Sequence, residues 1–221
     1  SSNAVLDDFN SFYNLRGNMK VSVFHFVSVI KDSAGESING LRAVYGLPDK
    51  YFLVSNQFHK HKNHRIILLA LARLKALGIR KHVAFTGKLP AAQDSQYLAE
   101  LHAIMNDHNL HDQVTMLGLI PRTDQITIMK HCQAVIQPSL FEGWSTVIED
   151  AKSLQVPVVA ANLKVNIEQL SDQGVYFDPN NTAELATILD TFPERNIDTI
   201  LYEDYSQRIK NAADQLRRIL G

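Results

Sequence analysis

From residue 51 onward, short apolar runs alternate with amphipathic segments of helical length, and this alternation constrains the fold more than any other feature of the chain. The runs at 51–55, 83–87, 114–118, 134–137, 156–160 and 175–177 read as strands with little or no polar face. Such strands are buried on both sides, which calls for a parallel sheet with helices covering each face. Helical periodicity at 64–77, 94–109, 123–131, 146–154, 165–171 and 182–191 supplies the crossovers. The expected fold is α/β, a Rossmann-like doubly wound parallel sheet of about six strands. A last helix over 204–220 places Ile209, Ala212, Ala213, Leu216, Ile219 and Leu220 on one expected buried stripe, with Arg208, Lys210, Arg217 and Arg218 mostly elsewhere.

The amino-terminal fifty residues read differently. Residues 1–4 have the character of a tag remnant, 6–13 of a short helix, 14–18 of a turn around Gly17, 20–30 of a strand and 31–47 of a polar loop. The resulting division is a remnant at 1–4, a linker and tail of a missing amino-terminal domain at 5–50, a sheet domain at 51–203 and an amphipathic helix at 204–221.

With 22 basic and 23 acidic residues the formal charge is −1, so the chain lacks the cationic surplus of a nucleic-acid binder. A single cysteine, Cys132, precludes an intrachain disulfide and suits a reducing compartment. No apolar stretch approaches the roughly 18 residues of a membrane span.

In a doubly wound sheet, ligands gather beyond the carboxyl ends of the strands. Three segments leave those ends. In the first, from Ser55 to His64, Lys62 is within reach of an anion at the sheet edge. Its three histidines, His59, His61 and His64, lack the spacing and partners of a metal site. In the second, from Gly118 to Asp124, the main chain of Leu119 and Ile120 suits an aromatic base, and Thr123 or Asp124 can cap the next helix. Arg122 is either a surface residue or a ligand. In the third, from Pro138 to Pro157, Gly143 permits a tight turn and Thr146 with Glu149 forms a capping-box pattern. The first-turn amides of that helix could hold a phosphate. Glu142 and Asp150 could flank it, or could be a loop carboxylate and a residue that complements the helix dipole.

Together these segments resemble the carboxyl-terminal, donor-binding half of retaining GT-B glycosyltransferases of family four, the group 1 glycosyl transferases. The resemblance spans about residues 51–192. Its most specific part runs from Pro138-Ser-Leu-Phe-Glu-Gly-Trp-Ser-Thr-Val-Ile-Glu-Asp-Ala to Val156-Pro157-Val158-Val159, similar to the family's Glu-Gly-Phe-Gly turn, its second glutamate and the following strand. Leu117-Gly118 and Val175-Tyr176-Phe177-Asp178-Pro179 follow the family order.

The resemblance implies a nucleotide-diphospho-sugar as substrate rather than cofactor, retention of anomeric configuration and no bound metal. It implies that Glu142 faces the sugar hydroxyls and that Lys62 meets the diphosphate as the second catalytic residue. Asp150 would hold the ribose, Leu119 and Ile120 would lie beside the base, and Gly143, Trp144, Ser145 and Thr146 would surround the sugar and distal phosphate. Three positions depart from the pattern. Gln57 stands where the family usually has arginine, Asp150 is one methylene shorter than glutamate, and Ser145 replaces the second glycine. The implied acceptor is a glycan or lipid-linked sugar met through the missing half, in cell-surface polysaccharide or glycoconjugate synthesis. The implied location is cytoplasmic, peripheral at the inner face of the membrane. A non-catalytic nucleotide-sugar-binding domain and a GT-B sugar-nucleotide epimerase are the alternatives.

Overall fold

A computed structural model describes residues 2–13, 21–30, 36–90 and 96–221. The expectations at 14–18, at Lys20, over 31–35 and at 94–95 lie outside these. The helices are α1 (Asn3–Phe12), α2 (Ile38–Tyr45), α3 (His64–Ala76), α4 (Gln96–Asp107), α5 (Arg122–His131), α6 (Thr146–Ser153), α7 (Lys164–Leu170), α8 (Thr182–Thr191) and α9 (Tyr205–Leu220). The strands are β1 (Phe52–Ser55), β2 (Val83–Thr86), β3 (Val114–Gly118), β4 (Val135–Gln137), β5 (Val158–Ala161) and β6 (Val175–Phe177). All six pair in parallel in the order β3-β2-β1-β4-β5-β6. The order reverses between β1 and β4, and that switch point opens a crevice at the carboxyl edge.

The alternation within β1 shows why the sheet needs two covering layers. Phe52 and Val54 enter one apolar cluster with Leu71 of α3, Leu101 of α4 and Leu185 of α8. Tyr51 and Leu53 enter another, with Leu41 of α2, Ile128 of α5 and Ile148 of α6. Successive side chains on a strand point to opposite faces, so a run apolar at every position serves both. Each fully buried side chain of this size contributes about 1.5–3 kcal/mol.

The upstream segment departs from expectation in three places, the first being that α1 starts at Asn3, capped by Ser2, and not at residue 6. Residues 38–45 form a helix, not a loop. Ser37 Oγ accepts from Gly40 N at 3.2 Å, and Gly46 closes the helix in the left-handed conformation. Asn39 and Gly40 are weak helix formers, but burial of Leu41 outweighs their propensity. Residues 21–30 form neither helix nor strand. Their backbone is instead held by side chains: Val23 O accepts from Gln215, Phe26 O from Trp144 and Ser28 O from Ser153, while Ile30 N donates to Tyr205 Oη.

The expected apolar stripe of α9 also needs correction. Ala213, Leu216, Ile219 and Leu220 are exposed, and the buried member is Arg208. Its guanidinium pairs with the buried Glu149 of α6, so a charge pair docks this helix.

Candidate active site

The segment after β1 turns sharply and then enters α3. Asn56 is buried and donates through Nδ2 to Gln137 Oε1 at 2.9 Å. Gly87, at the exit of β2, has φ +152°, and a Cβ there would lie 2.1 Å from Asn56 O. Only glycine lets these two strand exits approach so closely. Gln57 is exposed, its Oε1 3.0 Å from His59 Nε2. A 3-10 turn at Lys60–Lys62 follows, leaving Lys60 in solvent. The loop after β4 is fastened to this turn by a bond from Leu140 N to His61 O, 2.8 Å long.

This fastening brings Lys62 to Glu142, with Nζ 2.6 Å from Oε1 and both side chains largely shielded. The same oxygen accepts from Nε2 of the buried Gln137, also at 2.6 Å. Groups from the ends of β1 and β4, on either side of the switch point, thus converge on one carboxylate. Shielding from water strengthens such charge-assisted bonds.

Helix α6 begins beside this pair. Its cap is Ser145, not Thr146: Ser145 Oγ accepts from Ile148 N at 3.3 Å. Glu149 is drawn away from the expected capping box. Its carboxylate takes Arg208 on one oxygen and Gln169 Nε2 on the other, the latter at 2.8 Å. Gln169 also bonds both backbone groups of Ser145 and so fixes the turn. Among the described residues, the amides of Thr146 and Val147 have no hydrogen-bond partner, as expected of the first helical turn.

Asp150, next to Glu149 in the chain, faces elsewhere. Oδ1 accepts from Arg122 at 2.5 Å and from the Ser28 hydroxyl of segment 21–30. Trp144 is turned to the same segment: its ring stacks on His25 with centroids 4.4 Å apart, and Nε1 donates to Phe26 O. His25 is in turn held by Glu168 at 2.9 Å. Gly143 is half-buried and Thr146 exposed.

On the other rim, Gly118 has φ +67°, and its carbonyl accepts from Gly87 N and Thr86 Oγ1. Leu119 is exposed, whereas Ile120 packs partly against the core. Helix α5 has Pro121 at its cap, and neither Thr123 nor Asp124 caps it; Asp124 instead accepts from Tyr45 Oη.

The histidines divide by environment. His59 and His61 stack on one another in the exposed turn, and burial together with Lys62 lowers the pKa of His61. His64 is a core residue stacked on Phe58, its pKa lowered to about 4 chiefly by burial. Among the described residues, no group of three or more His, Cys, Asp or Glu is placed to hold a metal. None of the described helices is long and apolar enough to cross a membrane.

Sequence reasoning missed Asn56, Gln137, Gln169 and Ser28. A signal existed for the first two, since each is an amide at the carboxyl end of an apolar strand. None existed for Ser28, whose partner lies 122 positions away.

Residues 41–215 match the family described as "Glycosyl transferases group 1". The N-acetylgalactosamine-N,N'-diacetylbacillosaminyl-diphospho-undecaprenol 4-alpha-N-acetylgalactosaminyltransferase of Campylobacter jejuni is 25% identical over 185 residues, covering 79% of this chain and 48% of that protein. Among solved structures, Anabaena Alr3699/HepE in complex with UDP is similar with a TM-score of 0.65 and 23% identity, over 83% of this chain and 56% of that one. Sucrose-phosphate synthase from Thermosynechococcus elongatus gives a TM-score of 0.62 and 18% identity, over 83% and 49% respectively. The chain spans about half the length of these three proteins. The likeness in structure places the sheet and its helices with one half of the GT-B glycosyltransferase fold. By the match across most of its length, the chain belongs to the glycosyl transferases group 1 family.

Proposed function

We propose that this chain is the donor-binding half of a retaining glycosyltransferase and that its crevice takes a nucleotide-diphospho-sugar. The observation that carries the reading is the convergence of Lys62 and Gln137 on Glu142 at the switch point, beside the unpartnered amides of α6. Lys62 and those amides are positive groups already in place, suited to a diphosphate. Glu142 accepts from sugar hydroxyls, Asp150 from the ribose, and the main chain of Leu119 and Ile120 meets the base. Backbone groups of Gly143, Trp144, Ser145 and Thr146 surround the sugar and the distal phosphate. Gln57 leaves the leaving-group side with less positive charge than the family pattern implies.

In transfer, the bond from the anomeric carbon to the phosphate oxygen breaks, and its electron pair leaves with the diphosphate. The acceptor hydroxyl attacks from the same face, and its proton passes to the departing phosphate. Charge grows on that phosphate as the bond lengthens, so Lys62 and the helix amides stabilise the transition state more than the ground state. These groups supply the charge stabilisation without a metal. The acceptor, a glycan or lipid-linked sugar, is met by a second domain in cell-surface polysaccharide or glycoconjugate synthesis at the cytoplasmic face of a membrane. The name of the Campylobacter relative, with its diphospho-undecaprenol acceptor, supports that choice.

The test is thermal denaturation of the chain with UDP, GDP, ADP and their sugar derivatives. A ligand that binds only the folded state raises the melting temperature as its concentration exceeds Kd. One diphosphate should shift it while its nucleoside shifts it less. No shift with any member at millimolar concentration overturns the reading.

A further inference from the structure

Two ion pairs lie near the start of α6: Lys62 with Glu142, whose partner Gln137 also bonds the cap residue Ser145, and Arg122 with Asp150 of α6 itself. Their formal charges cancel. If Arg122 were absent, the set would carry one net negative charge at a site that must receive an anion. The neighbouring groups do not replace it. Gln57 is neutral and bonded to His59, Lys60 lies in solvent, and Asp124, two residues after Arg122, is turned to Tyr45.

Arg122 is also placed to do more than balance charge. Asp150 is buried, with 4% of its side chain exposed, whereas half of the Arg122 side chain is open to solvent. One terminal nitrogen holds Asp150 and the other donates to Gln125 Oε1 at 2.9 Å. Gln125 in turn donates to Ser55 Oγ, at the end of β1. The guanidinium is therefore braced from α6 and, through Gln125, from the central strand. A guanidinium has five N–H donors in a fixed fork, so a phosphate can be met without releasing Asp150.

Resting on the proposed donor site, we infer that Arg122 is its second phosphate-binding cation, braced by Asp150 and Gln125 and directed at the phosphate nearer the nucleoside. Lys62 then serves the phosphate nearer the sugar. The crevice reads a diphosphate with two cations from different loops, one from the β1 exit and one from the β3 exit.

The experiment is calorimetric titration of the full 221-residue chain with the diphosphate that the thermal panel selects, its nucleoside, and inorganic pyrophosphate. Arg122→Gln, which keeps hydrogen-bonding capacity but removes the charge, should weaken diphosphate binding at least about tenfold and change nucleoside binding less than about twofold. Arg122→Lys should recover part of the loss, and the Gln variant should show a shallower dependence of diphosphate affinity on salt. Equal losses for diphosphate and nucleoside overturn the inference, because Arg122 then acts only through Asp150. Unchanged diphosphate affinity overturns it as well. Failure of the unsubstituted chain to bind any diphosphate defeats the donor-site reading first, whereas failure confined to the Arg122 variants defeats this inference alone. Circular dichroism of each variant separates loss of binding from loss of fold.

Discussion

Lys62 and Glu142 leave different strands, yet their charged ends meet at 2.6 Å beside the point where the strand order reverses. The side chains share this arrangement with Gln137, which gives Glu142 a second donor. Lys62→Ala should weaken diphosphate binding about tenfold or more, since a charge-assisted contact contributes about 1.5–3 kcal/mol. Glu142→Gln should behave differently, leaving diphosphate affinity unchanged or stronger because a negative charge disappears. Titration of both variants checks the contrast, and equal losses would show that the pair acts only as a structural clasp.

Glu149 and Asp150 are adjacent in the chain but belong to different networks. Glu149 is sealed against Arg208 and Gln169, both brought in from the carboxyl-terminal part of the chain. Removing one member of a buried ion pair leaves the other charged and unpartnered, at a cost of about 3–5 kcal/mol. Arg208→Met should therefore lower stability by roughly that amount, whereas Arg208→Met combined with Glu149→Leu should recover much of it. Urea midpoints of the single and double variants decide the matter. A single variant as stable as the parent would mean that α9 is docked by something other than this pair.

His64 carries a pH dependence. Burial holds its folded-state pKa at about 4, below the ordinary value of 6.5, with Lys62 and His59 adding to the shift and the backbone of Asn56 opposing it. The unfolded chain thus binds more protons between these two values, so stability is fully present above pH 6.5 and declines as the pH falls toward 4. Below about pH 4 this contribution, roughly 3 kcal/mol, is gone. His64→Phe preserves the stack on Phe58 and removes the titration. Unfolding at pH 7 and pH 5 should show the parent losing about 2 kcal/mol more than the variant; parallel losses would remove His64 as the source.

Much of the fold was legible before any coordinates because it follows from local rules. Short apolar runs alternating with helix-length amphipathic segments suit strands of a sheet covered on both faces, and the strand and helix expectations from Tyr51 to Thr191 rest on that pattern. Helix α2 was hidden because Asn39 and Gly40 are poor helix formers, and only the burial of Leu41 reveals why a helix forms there. The facing of α9 is not legible in its periodicity, which locates an apolar stripe but not the neighbour that meets it. Arg208 faces inward because a buried carboxylate awaits it.

The sequence by itself determined the layers, the strand set and the three loops at the carboxyl edge, since these depend on residue type and spacing within short windows. Only the tertiary structure decided which carboxylate took which partner. Glu149 is paired for docking α9, Asp150 is joined to Arg122 and Ser28, and Glu142 is shared by Lys62 and Gln137. The physical reason is that an ion pair or hydrogen bond is set by separations of a few ångströms in space, and partners as far as 122 residues apart in the chain leave no periodic trace of their meeting.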